Sequence, residues 1–318
     1  MNRKFPAAGL LRATRLLRSG RIIEATTAIQ RALGGMQPRH GQRARAPREE
    51  GMPTALFTNA AGSRSYSLYL PPNRATRGMP LVVMLHGCKQ HPEDFAAGTR
   101  MNRLADELGF AVVYPAQSGK ANVSGCWNWF QPVHQRRDGE PSLIAGITRQ
   151  VVARHGLDAR RTYVAGLSAG GAMAAVMGNA YPELYAAMGI HSGLGYAAAQ
   201  DLPSALAAMK GTARKPRNAS GKRGIPMIVF HGDGDTTVHP SNGEHAMTGT
   251  LEKVEKGRAN GRAFTRTTHW DAEGRAVLEH WLVHGAGHAW SGGSPNGSYA
   301  DPSGPDASRE MLRFFMQS

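Results

Sequence analysis

The hydrophobic rhythm of the chain changes near residue 54. Before that point, "LLRATRLLRSGRIIEATTAIQRALGG" reads as two short helices, broken near Ser19 and Gly20 and closed by Gly34 and Gly35. Ile22, Thr26, Ile29 and Leu33 recur at helical spacing and give the second helix an apolar stripe. Residues 36–53, "MQPRHGQRARAPREEGMP", have almost no large apolar residues and are punctuated by Pro and Gly, as in a linker. From residue 54, strand and helix patterns alternate. "TALFT" and "RSYSLYL" show the period of two expected of half-buried strands, and Pro71 and Pro72 end the second. "PLVVMLHG", "FAVVYP" and "RTYVAG" are short apolar runs suited to a sheet covered on both faces. "YAAMGIHSG", "IPMIVFHGDGD" and "VLEHWLVHGAG" are further strand candidates, while "FAAGTRMNRLADELG", "SLIAGITRQVVARHG" and "GAMAAVMGNAYP" read as helices. The expectation is an α/β chain: a helical extension over 1–35, a linker over 36–53, and one domain over 54–318 built on a mostly parallel, doubly wound sheet. Residues 213–224, "ARKPRNASGKRG", read as a basic surface excursion.

Composition adds two constraints. No window approaches the ~18 uninterrupted apolar residues of a membrane-spanning helix. The formal charge of +15 over 318 residues is uneven: residues 1–50 hold eleven Lys/Arg against three Glu, a net of +8, which leaves +7 for the other 268 residues. The basic signal belongs to the N-terminal segment, as a helical appendage or as an amphipathic contact for a granule or another anionic surface. Nucleic acid is disfavoured, because this Arg-rich stretch has no interleaved aromatics. Arg12, Arg15 and Arg18 interrupt any apolar core of an export signal, so the cytoplasm is the default expectation. Two cysteines, Cys88 and Cys126, can form one bond at most.

The chemistry gathers around "RRTYVAGLSAGGAMAAVMG". Gly166, Ser168 and Gly170 fit G-x-S-x-G, the nucleophile elbow, with a strand leading in and small residues letting a helix leave at close range. In an α/β-hydrolase the acid and then the base follow the serine in chain order. "PMIVFHGDGDTTV" is a strand ending in a turn that carries Asp233 and Asp235; Asp235 lies deeper and is preferred, with Asp233 as fallback. "VLEHWLVHGAGHAWSGG" then presents His288 after a glycine-rich turn. His280, His284 and His269 belong to or precede the strand pattern, His86 and His231 sit at strand ends, and His191 and His239 are placed to line a pocket. None of these fits the base as well as His288. The backbone N–H of Ala169, with that of Cys88 in "LHGCKQ", is the expected oxyanion-binding pair. No metal, cofactor or phosphate loop is expected: no compact His/Cys/Asp spacing competes, and "GLSAGG" lacks the lysine of a P-loop.

Six motifs, "HGCKQHPEDFAAGTRMN", "CWNWF", "EPSLIAGITRQVV", "YVAGLSAGGAMA", "HGDGDTTVHPSNG" and "GHAWSGG", in this order closely resemble the poly(3-hydroxybutyrate) depolymerase-type esterases, α/β-hydrolases related to feruloyl and acetylxylan esterases. The likeness runs over about residues 54–316. It implies Ser168, Asp235 and His288 as triad and a disulfide between Cys88 and Cys126. It also implies that Trp127, Trp129 or Trp290 forms an apolar wall against an acyl chain or polymer; core packing is the plainer role for each of the three. The function so expected is a serine esterase acting on short-chain 3-hydroxyalkanoate esters, as polymer or oligomer. Two alternatives stand beside it: a feruloyl, acetylxylan or general short-chain esterase, and a non-catalytic protein that binds a granule or membrane. The resemblance and its disulfide point to an extracellular location, against the cytoplasmic default.

Overall fold

The computed structural model describes residues 52–72, 75–212, 224–244 and 251–318. The expected helical extension, nearly all of the linker and most of the 213–224 excursion lie outside these residues. Ten strands form one sheet: β1 (Thr54–Asn59), β2 (Gly62–Tyr69), β3 (Leu81–Leu85), β4 (Ala111–Pro115), β5 (Thr162–Leu167), β6 (Ala187–His191), β7 (Met227–Gly232), β8 (Leu251–Ala259), β9 (Arg262–Trp270) and β10 (Ala276–Val283). Their spatial order is β1-β2-β4-β3-β5-β6-β7-β10-β9-β8. The six strands from β4 to β10 run parallel, and β1–β2 and β9–β8 flank them as antiparallel pairs.

Strand alternation divides the core. Leu81, Val83 and Leu85 of β3 face one layer, and Val82 and Met84 face the other. The first layer holds helices α3 (Gly139–His155), α4 (Ala169–Ala180) and α5 (Leu202–Met209). The second holds α1 (Pro92–Thr99), α2 (Met101–Leu108) and α7 (Ala307–Phe315); a single turn, α6 (Ser241–Glu244), lies between α5 and α7 in sequence. Strands buried on both faces therefore read as unbroken apolar runs, as expected.

Four features differ from the sequence reading or extend it. The segment read as one helix from Phe95 to Gly109 is two, because Arg100 adopts φ 55° between α1 and α2. Its guanidinium is bound to the Gly292 carbonyl and the Asp306 carboxylate, contacts that hold the break in place. The β8–β9 hairpin, unassigned by periodicity, turns at Asn260 and Gly261, both with positive φ as a two-residue hairpin turn requires. Helix α5 starts in a capping box, with Asp201 accepting from Ser204 N and the Ser204 hydroxyl oxygen accepting from Asp201 N. Helix α7 buries Met311, Leu312, Phe314 and Phe315, and Phe315 stacks on Tyr163 with centroids 5.0 Å apart.

Chain order along the sheet reverses between β3 and β5. β4 lies on one side of β3, and the chain then returns to place β5 on the other. In doubly wound sheets the crevice outside the carboxyl ends at such a reversal is where ligands bind. Here those ends carry the Gly87–Cys88 loop after β3 and Ser168 after β5.

A buried carboxylate ties the surrounding loops to the sheet. Glu140, at the start of α3, accepts from Arg64 Nη2 at 3.2 Å, Gln117 Nε2 at 2.6 Å, Asn128 Nδ2 at 2.7 Å and Asn128 N at 2.8 Å. Glu140→Ala strands these donors and leaves the nearly buried Arg64 cation unpaired. The expected cost is about 3–5 kcal/mol, read as a thermal midpoint lower by about 10 °C. An unchanged midpoint would show that the network contributes no net stability.

Candidate active site

Ser168 stands between β5 and α4 at φ 58°, ψ −119°, a backbone conformation that costs a non-glycine residue about 1–3 kcal/mol. The flanking glycines allow it. A Cβ at Gly166 would lie 2.4 Å from the Gly170 carbonyl carbon and 2.6 Å from the Leu85 oxygen; one at Gly170 would lie 2.0 Å from the same Leu85 oxygen. Helix α4 can approach β3 and β5 this closely only with hydrogen at both positions. The turn is fixed by Ser168 N donating to the His191 carbonyl at 2.8 Å and by Ala172 N donating to the Ser168 carbonyl at 2.9 Å.

The expected acid and base meet on the neighbouring loops. His288 Nδ1 lies 2.7 Å from Asp235 Oδ2. Asp235 Oδ1 accepts from Thr237 N and Val238 N, both at 2.9 Å, which orients the buried carboxylate. Burial pushes the Asp235 pKa up. The hydrogen bond and charge of His288, with the Val238 N–H and His231, outweigh it and hold the group below the ordinary aspartate value. Asp233, the fallback acid, is turned away: it pairs with His284 Nδ1 at 2.8 Å and accepts from Gly285 N at 2.6 Å. Gly232 brings the two loops together, since a Cβ there would sit 2.2 Å from the Ala286 oxygen.

Ser168 and Ala169 line a largely apolar cavity of about 80 Å³, partly open to solvent. Cys88, Cys126, Trp127 and Trp129 share its wall. So do Leu202, Ala205, Leu206 and Met209, one face of α5, which the sequence reading did not assign. Its signal in the sequence is the "DLPS" start, with Pro203 in the first turn. Phe130 of "CWNWF" and Val238 of "HGDGDTTVHPSNG" complete the apolar lining with Leu194, which belongs to none of the six motifs.

The backbone N–H groups of Cys88 and Ala169 make no hydrogen bond among the described residues. On either side of Cys88, Gly87 N donates to Gln90 Oε1 and Lys89 N donates to the Ser124 carbonyl, both at 2.9 Å. The loop thus uses its other donors internally and leaves that of Cys88 free, while the Ala169 N–H is one of the unsatisfied donors of a helix start. Cys88 and Cys126 are joined in a disulfide. Trp127 Nε1 donates to the His86 carbonyl at 3.1 Å, a second tie between the same loops.

Trp290 is not brought to the cavity. It is fully buried, edge-on to Phe95 at 5.5 Å, stacked on His191 at 4.9 Å, and it donates to Ser308 Oγ at 3.0 Å. It packs the second layer against the strand ends. His86, read as structural, is enclosed with its Nε2 accepting from Gln117 N at 3.0 Å; His191, expected to line a pocket, is instead buried away from this cavity, with Nε2 accepting from Ser291 N at 2.9 Å. Burial lowers the pKa of His86 to about 4, of His191 to about 3 and of His280 to about 4. No group of three ligating side chains suited to a metal ion occurs among the described residues. No helix among them is long and apolar enough to cross a membrane.

Two outcomes follow. These three rings are neutral in the fold at pH values where the unfolded chain protonates them. Their contribution to stability is complete above pH 6.5 and is lost as pH falls from 6.5 toward about 4. Each is worth roughly 3 kcal/mol across that window, so the thermal midpoint should fall steadily from pH 6.5 to 4; a flat profile would contradict neutral burial. The double variant Cys88→Ser with Cys126→Ser keeps the Cys88 N–H and opens the loop between residues 38 apart. A stability loss of about 2–4 kcal/mol is expected, with kcat on a small ester within about tenfold of wild type, because backbone and Trp127 bonds still hold the loop. A full loss of turnover in folded enzyme would show that the covalent bond alone shapes the site.

The fold and the loops agree with known proteins. The family model described as Esterase PHB depolymerase matches residues 64–261. The chain is 32% identical over 235 residues to poly(3-hydroxyalkanoate) depolymerase C of Paucimonas lemoignei, covering 68% of this chain and 56% of that protein. It is 31% identical over 283 residues to feruloyl esterase B of Neurospora crassa, covering 81% and 89%. Against the acetylxylan esterase A of Talaromyces purpureogenus it is 28% identical, covering 59% and 53%. The chain thus spans little more than half the length of the depolymerase and the acetylxylan esterase. Among solved structures, the acetyl xylan esterase from Aspergillus awamori superimposes with TM-score 0.64 at 20% identity, over 84% of this chain and 100% of that one, and shares the α/β-hydrolase fold. With the family model spanning more than half of its residues, the chain belongs to the Esterase PHB depolymerase family of carboxylic ester hydrolases.

Proposed function

We propose that the protein is a serine esterase in which Ser168, His288 and Asp235 act in sequence on an ester whose acyl part occupies the apolar cavity. The observation that carries this reading is the joint placement of a strained serine and two unbonded N–H groups at one cavity wall, with an oriented Asp–His pair on the following loops. A serine hydroxyl is a poor nucleophile at neutral pH and needs a base. His288 takes the proton as Ser168 Oγ attacks the carbonyl carbon, and the N–H groups of Cys88 and Ala169 receive the negative charge that develops on the carbonyl oxygen. His288 then passes the proton to the departing alkoxide, leaving an acyl-serine. Water, deprotonated by His288, attacks the acyl-serine and releases the acid. Asp235 holds the imidazole with its proton on Nδ1 and offsets the charge that forms there.

Within this chemistry the substrate we favour is a short-chain 3-hydroxyalkanoate ester, polymeric or oligomeric, supported by the likeness to the depolymerase and by the apolar lining. The feruloyl esterase likeness covers more of both chains, and Trp127, Trp129 and Phe130 suit an aromatic acyl group, so a feruloyl ester is the second reading. The disulfide favours an oxidising compartment over the cytoplasmic default. Contact of the basic N-terminal segment with a granule or other anionic surface remains a proposal resting on its charge.

Release of soluble 3-hydroxybutyrate from an amorphous poly(3-hydroxybutyrate) suspension, set beside ethyl ferulate hydrolysis, tests both readings. Wild type should release the acid, and Ser168→Ala should lose at least about 10⁴-fold on any substrate. Activity on ferulate alone would transfer the assignment to the second reading. Undiminished Ser168→Ala would overturn the mechanism.

A further inference from the structure

Behind the acid of the site lies a set of buried imidazoles that the hydrolytic scheme leaves unused. His231, near the end of β7, is fully buried. Its Nε2 lies 2.9 Å from the Val238 carbonyl and 3.5 Å from Asp235 Oδ2. A carbonyl only accepts, so the ring proton of His231 sits on Nε2 and Nδ1 carries a lone pair. That Nδ1 has no hydrogen-bond partner among the described residues, and neither has His280 Nε2. Leu282 of β10 is paired with His231, which places His280, two residues earlier, on the same face of the sheet. The two nitrogens converge on Gly243, where a Cβ would lie 2.8 Å from His280 Nε2 and 3.4 Å from His231 Nδ1.

This arrangement has two consequences for Asp235. The turn that carries it is closed by Thr237 N and Val238 N donating into Oδ1, and the Val238 carbonyl of the same turn is held by His231. The turn that carries the carboxylate therefore cannot shift at Val238 without breaking the His231 bond. The charged and titratable groups facing His231 are Asp235, His288 and His239 from the loops, His191 from β6 and His280 from β10. Burial lowers the pKa of His231 against the pull of Asp235, and its Nδ1 has no hydrogen-bond partner among the described residues. A cation at His231 would lie beside the Oδ2 that His288 uses and would compete for its charge.

We propose that His231 is a positioning residue for the esterase reaction: through Nε2–H it fixes the turn carrying Asp235, and as a neutral ring it leaves the carboxylate's charge to His288. This rests on the triad reading given above. Two polar replacements separate positioning from simple packing, because glutamine can reach the Nε2 position whereas asparagine reaches only that of Nδ1. On p-nitrophenyl butyrate, with active enzyme counted by a fluorophosphonate, His231→Asn should lose about 10- to 100-fold in kcat with KM within about twofold. The acidic limb of its kcat/KM profile should move to lower pH, since a loosened Asp235 stabilises protonated His288 less. His231→Gln should stay within about fivefold of wild type and keep the limb in place. Any result in which the glutamine variant does not outperform the asparagine variant overturns the proposal, as does an asparagine variant with wild-type kcat. Ser168→Ala and Asp235→Ala in the same assay keep the two readings apart: full activity there sinks the triad itself, whereas loss there beside an unaffected His231→Asn sinks only the positioning role.

Discussion

The close approach of helix α4 to strand β3 is the constraint from which the site follows. It is set by the Leu85 carbonyl, against which neither Gly166 nor Gly170 has room for a methyl group. With those two contacts made, the chain between β5 and α4 has no relaxed path, and Ser168 is left at positive φ. A strain of about 1–3 kcal/mol persists only where the surroundings over-determine it. Here they do: the Ser168 N–H is fixed on β6, its carbonyl is fixed within α4, and the strands on both sides are buried without exposure. The same approach sets the first N–H of α4 beside the loop leaving β3, so the proposed nucleophile and the proposed charge-stabilising donors come from one packing decision. Their mutual geometry is inherited from the buried strands of the sheet, and sites built on strands are held more closely than sites on loops.

Electrostatics around the pair is arranged by subtraction. His86, His191 and His280 are enclosed, and burial keeps each neutral at ordinary pH. Asp235 is buried as well, yet its carboxylate is held ionised by His288, two backbone N–H groups and the edge of His231. An ionised acid among neutral imidazoles interacts strongly with whichever ring can take a proton, because the low local dielectric magnifies the attraction. His288, partly exposed, is the ring that pairs with it directly, at 2.7 Å. Asp233 and His284 form a pair of similar length one turn away, but both are about 40% exposed, and solvent screens their interaction.

How much of this was legible in the sequence depends on whether a feature is set by burial or by contact. Buried strands announce themselves as apolar runs, so β3 to β7 and β10 were readable, as was the elbow, whose glycines answer a local steric demand. The expected serine, acid and base follow from strand ends read with the chain order of an α/β-hydrolase. The β8–β9 hairpin was missed because its outer strand is mostly exposed and its alternation is polar, although Asn260 and Gly261 mark the turn. Arg100 splits a helix for a reason that lies about 200 residues away, at Gly292 and Asp306. Trp290 was grouped with Trp127 and Trp129 by its neighbourhood in sequence; its true neighbours, Phe95, His191 and Ser308, come from three other segments. Glu140 is a stronger case. A single glutamate at a helix start looks like an ordinary dipole partner, and nothing local reveals that it gathers Arg64, Gln117 and Asn128 into one buried network.

That network explains why the cavity wall can be both loop-built and fixed. "CWNWF" has no regular secondary structure, so its backbone groups need partners from elsewhere. Asn128 turns inward to Glu140, which leaves the residues on either side, Trp127 and Trp129, directed to the cavity. Trp127 then spends its indole N–H on the His86 carbonyl and presents only carbon to the ligand space. The disulfide, the Lys89 to Ser124 backbone bond and this indole bond all join the same two loops, one of which offers the Cys88 N–H. Redundant ties of this kind remove the loop's alternatives one by one. In the proposed mechanism the donor then meets a developing oxyanion without having to reorganise at the moment of reaction, which is the condition under which such donors lower a barrier most.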